Sequence, residues 1–215
     1  MGQRTLRRFR NSTIAIHWTH TVLFFVMLIT GALMFFPLTG PVGGRQIRAV
    51  HRMTAVLLVA APVLYALFDP GAALRFLAEA CRWDRDDLRW LKASLRYYFG
   101  GPAPLPPRGR INGDQKLWQL VVILAGGVFT ATGVLLWFFK LKVPTELYAA
   151  VLLAHAGAFV AVSLMFPVHF YLRTLHPLFE ESLSSMLDGK VSSAYAGRHY
   201  PEWRDQIVGR PPGEP

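Results

Sequence analysis

Four stretches of this chain are too long and too apolar to be at home in water, and they constrain the fold more than any other feature. The hydrocarbon core of a bilayer is about 30 Å thick, and a helix rising about 1.5 Å per residue crosses it in about 20 residues. Asn11 to Gly44 contains no Asp, Glu, Lys or Arg, and its apolar part covers residues 14–36. Met53 to Phe68 is shorter, but it extends back through Arg52 and His51 to residue 50, because an arginine near a helix end can snorkel to the headgroups. Leu117 to Phe139 and Leu147 to Leu172 are uncharged throughout, and Pro144 interrupts the short connection between them. The expected spans are therefore 14–36, 50–68, 117–139 and 147–172, in one membrane domain over residues 1–215 with a tail from 173 to 215. This is an all-α, integral membrane four-helix bundle. With 53% hydrophobic and 17% charged residues, the composition excludes both an ordinary soluble domain and a disordered chain.

Charge sets the orientation. Four spans put both termini and the long loop between spans two and three on one side. Of the 23 Lys and Arg residues, only Arg45, Arg48, Arg52, Lys140 and Lys142 fall on the other side. Basic residues near helix ends are retained in the cytoplasm, so both termini are expected inside, in a bacterial inner membrane. The net charge of +10 borders hydrophobic spans, where it meets anionic headgroups, so a nucleic-acid partner is not expected. The first span follows Arg4, Arg7, Arg8 and Arg10 as a signal peptide would, but it is too long and lacks a small-residue cleavage site, and it is expected to be retained. In the long loop, Ala72 to Phe99 mixes apolar, aromatic and charged residues as an amphipathic helix at the interface would. Gly100 to Pro107 breaks it, and the tail is expected to hold one or two short helices.

Cys81 is the only cysteine, which excludes an intrachain disulfide, a thiolate iron–sulfur cluster and a covalently attached haem within this chain. Any redox cofactor must use other ligands. His17, His20, His51, His155 and His169 lie in or at the ends of spans, where ionisable residues are uncommon and usually functional. A single such histidine could simply bond a neighbouring helix; the set is harder to explain that way. His155 and His169 are fourteen residues apart, so on one helix they lie within about 40° of each other and about 21 Å apart along the axis. Depth then pairs His17, at the start of span one, with His169. It pairs His51, at the start of span two, with His155.

Two histidine pairs at two depths are what two stacked bis-histidine haems b require. A zinc or copper site needs three or four ligands at one depth, which these pairs do not supply. Gly31, Gly126, Gly127, Gly133 and Gly157 could give a macrocycle room against a helix, although membrane helices use glycine for packing too. His20 lies three residues beyond His17 on nearly the same face, and spacing alone leaves both open as ligands. His176 and His199 lie beyond the last span and are expected at the surface. Asn112 to Lys116 also fits a helix start, since Asn and Asp cap exposed backbone N–H groups.

Several short motifs occur in a telling order. They are IHW at Ile16 to Trp18, VHR at Val50 to Arg52, NGDQK at Asn112 to Lys116, LLAHAG at Leu152 to Gly157 and PVHFY at Pro167 to Tyr171. The tail adds MLDGKVS at Met186 to Ser192 and HYPEW at His199 to Trp203. In this order the chain resembles the gamma subunit, the cytochrome b membrane subunit, of respiratory formate dehydrogenases, over nearly its whole length. The resemblance implies haem-iron ligation by His17, His51, His155 and His169, in the pairs His17/His169 and His51/His155, and so selects His17 over His20. It also implies a quinone region beside the inner haem, made by His169 and the loop of Asn112, Gly113, Asp114, Gln115 and Lys116. That family usually reads Asn-x-Gly-Gln-Lys there, so Asp114 stands where a glycine is usual.

The same resemblance implies partners: a molybdenum or tungsten subunit that oxidises formate, and an iron–sulfur subunit that relays electrons. The complex could assemble further into a higher oligomer. This chain would carry the electrons through the outer and then the inner haem to a menaquinone or ubiquinone near the cytoplasmic side, as the quinone-reducing subunit of an oxidoreductase. A cytochrome b serving another molybdenum enzyme or a hydrogenase is the nearest alternative, because nothing in the chain touches formate. A transporter or non-redox anchor is the competing class, and the absence of Asp and Glu from the four spans disfavours it.

Overall fold

The computed structural model of the chain describes residues 4–36, 38, 40–101 and 104–209. These form two compact units. One, the bundle unit, comprises Ala15–Ala73 and Val121–His169; the other, the polar unit, comprises the described residues of Met1–Ile14, Leu74–Leu120 and Phe170–Pro215. The tail and the long loop thus share a packed body of their own.

The elements run β1 (Thr5–Arg7), α1 (Asn11–Phe35), α2 (Pro41–Phe68), α3 (Pro70–Cys81), α4 (Arg85–Tyr98), α5 (Gly113–Phe138), α6 (Thr145–Phe170), α7 (Ser182–Asp188), β2 (Lys190–Ser192), α8 (Ser193–His199) and α9 (Pro201–Val208). Among the described residues, helices α1, α2, α5 and α6 are the four long enough and apolar enough to cross a membrane. A backbone in lipid must satisfy its own hydrogen bonds, and these uncharged runs do so as helices. Large apolar side chains such as Leu67, Leu153 and Leu164 are more than 70% exposed, as a lipid-facing surface requires.

The second span starts nine residues earlier than hydropathy suggests. Pro41 sits in its first turn, where a missing N–H costs nothing, and the arginines Arg45 and Arg48 are good helix formers that an apolar criterion rejects. His51 is consequently ten residues inside α2 rather than at its start. In the fourth span, Pro167 withdraws one backbone donor, and the helix continues past Phe170 as a π-helical turn, Tyr171–Leu175.

In the polar unit, β1 pairs antiparallel with β2, Leu6 opposite Val191. Their core is shared with Tyr195, Ala196, Tyr200 and Trp203. Gly189 ends α7 with φ +80°, and a Cβ there would lie 2.5 Å from the Phe9 carbonyl oxygen, so only glycine fits. Its own carbonyl accepts from the N–H groups of Arg8 and Phe9, which ties the N-terminal segment to the tail. The expected amphipathic segment of the long loop is two helices, α3 and α4. The tail carries three short helices and a strand, more than its length alone suggests.

A candidate haem centre

In the bundle unit, His51 of α2 and His155 of α6 face each other with ring centroids 6.5 Å apart. An imidazole binds a metal at about 2 Å, and the ring centre lies about 1 Å behind the ligating nitrogen, so two imidazoles on one iron stand about 6 Å apart. The observed pair matches that spacing. Thr30 of α1 places its hydroxyl 2.8 Å from His51 Nδ1, and Thr132 of α5 places its hydroxyl 2.8 Å from His155 Nδ1. All four long helices therefore contribute one residue each to this site.

The space beside the two rings is shaped by glycines. A Cβ on Gly31 would lie 3.3 Å from Phe159 and 3.8 Å from His51 Cε1, and a Cβ on Gly133 would lie 3.9 Å from His155 Cε1. A side chain at Gly31 would press on Phe159, whereas one at Gly133 would meet the His155 ring at ordinary van der Waals distance. Gly126, Gly127 and Gly157 differ, since a Cβ on any of them meets no atom within 4 Å. Phe129 closes on His155 edge-to-face with centroids 5.1 Å apart, adding an apolar wall. The residues present thus fit a haem: two imidazoles at the right spacing, an apolar wall, and a glycine beside each ring.

The other pair is placed less tightly. Phe24 and Phe25 of α1 pack on Phe166 of α6, and Phe35 packs on Phe159, which makes these helices antiparallel. His17 and His169 accordingly lie toward the same end, seven residues before Phe24 and three after Phe166. His20, four residues before Phe24, is at least as close to His169 in depth. The ring of His17 meets Trp18 edge-to-face at 5.4 Å, and its Nδ1 is buried without a hydrogen-bond partner.

The loop before α5 belongs to the polar unit. Asn112 caps α5: its Oδ1 accepts from Gln115 N at 3.3 Å, and Gln115 Oε1 accepts from Asn112 N at 3.1 Å. Gly113 allows close approach, since a Cβ there would lie 2.8 Å from the Asp87 carbonyl oxygen. Asp114 accepts from Trp90 Nε1 at 3.0 Å and pairs with Arg173. Lys116 donates to Asp87 Oδ2 at 2.7 Å and to the Arg82 carbonyl at 3.0 Å. What remains unpartnered and buried at this turn of helix is the Nδ2 of Asn112 and, one turn on, the Oε1 of Gln119.

Two histidines do not lie where expected. His176 and His199 are both only 7% exposed, because the tail folds around an aromatic core instead of trailing into solvent. His176 Nε2 donates to the Tyr98 carbonyl at 3.0 Å, and the His199 ring packs in tilted contact with Tyr195 and Phe179, centroids 4.4 and 5.3 Å away. Burial, with Arg198, Arg8 and Arg173 nearby, holds the His199 imidazole down at about 4. Thr30 and Thr132 were not singled out from sequence, since other threonines occur in the same spans. Only the three-dimensional contact distinguishes them.

Apolar helices that bring two histidines together at bis-imidazole spacing define a class, the membrane-embedded b-type cytochromes. The chain belongs to the prokaryotic cytochrome b561 family, which it matches over residues 8–189. Membership implies a membrane protein that holds haem b. Among curated relatives, the chain is similar to the formate dehydrogenase cytochrome b556 subunit of Haemophilus influenzae, 27% identical over 94% of this chain and 84% of that one. It is also 28% identical to the cytochrome b556 subunit of the nitrate-inducible formate dehydrogenase of Escherichia coli K12, over 90% of this chain and 87% of the relative. A second formate dehydrogenase cytochrome b556 subunit of that bacterium is 24% identical over 89% and 88%.

Proposed function

We propose that this chain is the dihaem cytochrome b subunit of a membrane-bound formate dehydrogenase, carrying electrons from an iron–sulfur subunit to a quinone. The observation that carries the reading is the His51–His155 pair at 6.5 Å between glycines, in a chain whose near full-length relatives are named as cytochrome b subunits of formate dehydrogenases. Bound haem supplies a reversible one-electron carrier, which none of the side chains provides.

His51 and His155 hold the outer haem in this reading, and His17 and His169 the inner one. The Nδ1 of His17, buried and unpaired, is the type of atom that a water or a ligand completes. The quinone, a menaquinone or ubiquinone, is reduced at the region of Asn112, Gly113, Asp114, Gln115 and Lys116, with protons taken from the cytoplasmic side. Asn112 offers an unpartnered amide donor there. Asp114 acts through Trp90 and Arg173, which use both of its oxygens. Both termini lie in the cytoplasm, consistent with the basic residues that border the spans on that side. Each electron that crosses the membrane stores about 2.3 kcal/mol per 100 mV, so the subunit generates proton-motive force without a proton pump.

The test is to tag the chain in its native host, purify it in mild detergent and quantify haem b per polypeptide. Two haems, reduced by formate and reoxidised by a quinone analogue, with iron–sulfur and molybdenum or tungsten subunits co-purifying, is the expected result. Reduction by hydrogen or another donor, but not by formate, would replace the formate reading with another partner enzyme. Absence of haem would overturn the electron-transfer reading itself.

A further inference from the structure

The two threonine contacts carry more information than their distances. Thr30 Oγ1 lies 2.7 Å from the Val26 carbonyl oxygen as well as 2.8 Å from His51 Nδ1. Thr132 Oγ1 lies 2.6 Å from the Val128 carbonyl oxygen as well as 2.8 Å from His155 Nδ1. A hydroxyl has one hydrogen, and a carbonyl oxygen can only accept. The hydrogen at each threonine therefore goes to the carbonyl, and the hydroxyl lone pair faces the imidazole. An arrangement with two acceptors and no hydrogen between them would leave buried oxygen atoms repelling each other, and both threonines are buried away from water. Nδ1 of each histidine must then be the donor.

A neutral imidazole that carries its proton on Nδ1 has its lone pair on Nε2. We propose that Thr30 and Thr132 are positioning residues that lock His51 and His155 in the Nδ1-protonated tautomer, so that both Nε2 lone pairs serve one iron. The proposal rests on the reading of this pair as haem ligands. It goes beyond that reading by assigning the partners that set tautomer, ring orientation and electron donation. The device occurs twice, once in the hairpin of α1 and α2 and once in that of α5 and α6, with the threonine on the first helix and the histidine on the second.

An acceptor on Nδ1–H makes the imidazole a stronger donor to the metal and favours the ferric state. Loss of either threonine acceptor should accordingly raise the potential of the haem that this pair would hold.

The experiment is an optical redox titration of the purified complex bearing Thr30→Val or Thr132→Val, each beside the serine variant at the same position. Valine keeps the shape and removes the acceptor; serine keeps the hydroxyl. The expected result is an upward move of one of the two haem components, by up to tenfold in its ferric-to-ferrous ratio, which is about 59 mV for one electron. The other component stays in place, and serine restores the original value. Unmoved components in valine variants that retain both haems would overturn the proposal, as would valine and serine variants that behave alike.

A second measurement needs no variant. The imidazole ring modes in the redox-difference infrared spectrum of the wild-type complex distinguish the tautomers, and ligands protonated at Nε2 would sink the idea. A wild-type complex without two haems would instead count against the dihaem reading, so the two failures are distinguishable.

Discussion

The bundle unit and the polar unit hold themselves together by opposite means. The polar unit is rich in ion pairs: Asp87 is fully buried between Arg108 and Lys116, and Arg110 pairs with Glu79. That unit also has its own hydrophobic core of Leu6, Val191, Tyr195, Ala196, Tyr200 and Trp203. The bundle unit relies instead on aromatic rings and on threonine–histidine contacts between helices. One unit is completed by its own side chains, and the other, in the proposed reading, is built around groups that would bind a haem. The difference implies that ligand removal and charge removal damage different halves of the molecule.

The largest expected effect is loss of a ligand. In His155→Ala, about half of the haem b should disappear, and quinone reduction should fall on the order of 100-fold or more, while dye-linked formate oxidation persists. Haem per polypeptide reports the first and steady-state rates the second. Limited proteolysis of the polar unit should be unchanged; if its tail became labile too, the two units would not be independent. The same assay settles the other pair. His17→Ala should cost one haem and His20→Ala none, and the reverse outcome would move the ligand three residues along α1.

Next comes the buried carboxylate of the polar unit. Asp87→Ala leaves Arg108 and Lys116 without their partner and also removes half of the capping box, the bond in which Asp87 Oδ2 accepts from Asp84 N at 3.1 Å. Breaking a buried pair in this way costs about 3–5 kcal/mol. Thermal or protease unfolding of the polar unit should shift by that much, with haem content retained. Loss of both haems in this variant would break the contrast between the units.

Asp114→Gly, which restores the residue usual in the resembling family, should cost about 2–3 kcal/mol through Trp90 and Arg173. Its quinone KM should stay within about threefold, because Trp90 and Arg173 already engage both carboxylate oxygens. A tenfold change in KM would return Asp114 to direct quinone contact.

What could be read from sequence follows the same division. The four spans and the histidine set were legible because a bilayer imposes length and apolarity locally, and because an ionisable residue stands out in such a run. The start of α2 at Pro41 was not, since Arg45 and Arg48 are helical yet charged. The polar unit was largely illegible. Its core joins Leu6 to Val191 and Tyr195 across almost the whole chain, and no local period announces such a contact. For the same reason His176 and His199 were expected at the surface, and the capping role of Asn112 could be seen while the pairing of Asp114 with Arg173 could not. The matched spacing of His51 and His155 lies between these cases: depth pairs them, but only the fold shows the threonines behind them.

The smallest effect tests the polar unit alone. The imidazole of His199 is held at about 4 by burial, against about 6.5 when unfolded. The unfolded chain therefore takes up a proton as pH falls below about 6.5, whereas the native chain does not until about 4. Stability is thus full above the unfolded value and is lost as the solution is acidified between the two. From pH 7 to pH 5 the loss from this group amounts to at most about 2 kcal/mol, at about 1.4 kcal/mol per pH unit. His199→Phe, which keeps the aromatic contacts with Tyr195 and Phe179 and cannot be protonated, should flatten that part of the pH profile. Protease susceptibility of the tail from pH 7 to 5 measures it, with the haem spectrum followed in the same samples. If the profile of the variant matched that of the wild type, another group would be responsible. A haem spectrum that changed in step with the tail would show that acid acts on the bundle as well, and the separation between cofactor-held and charge-held halves would fail at low pH.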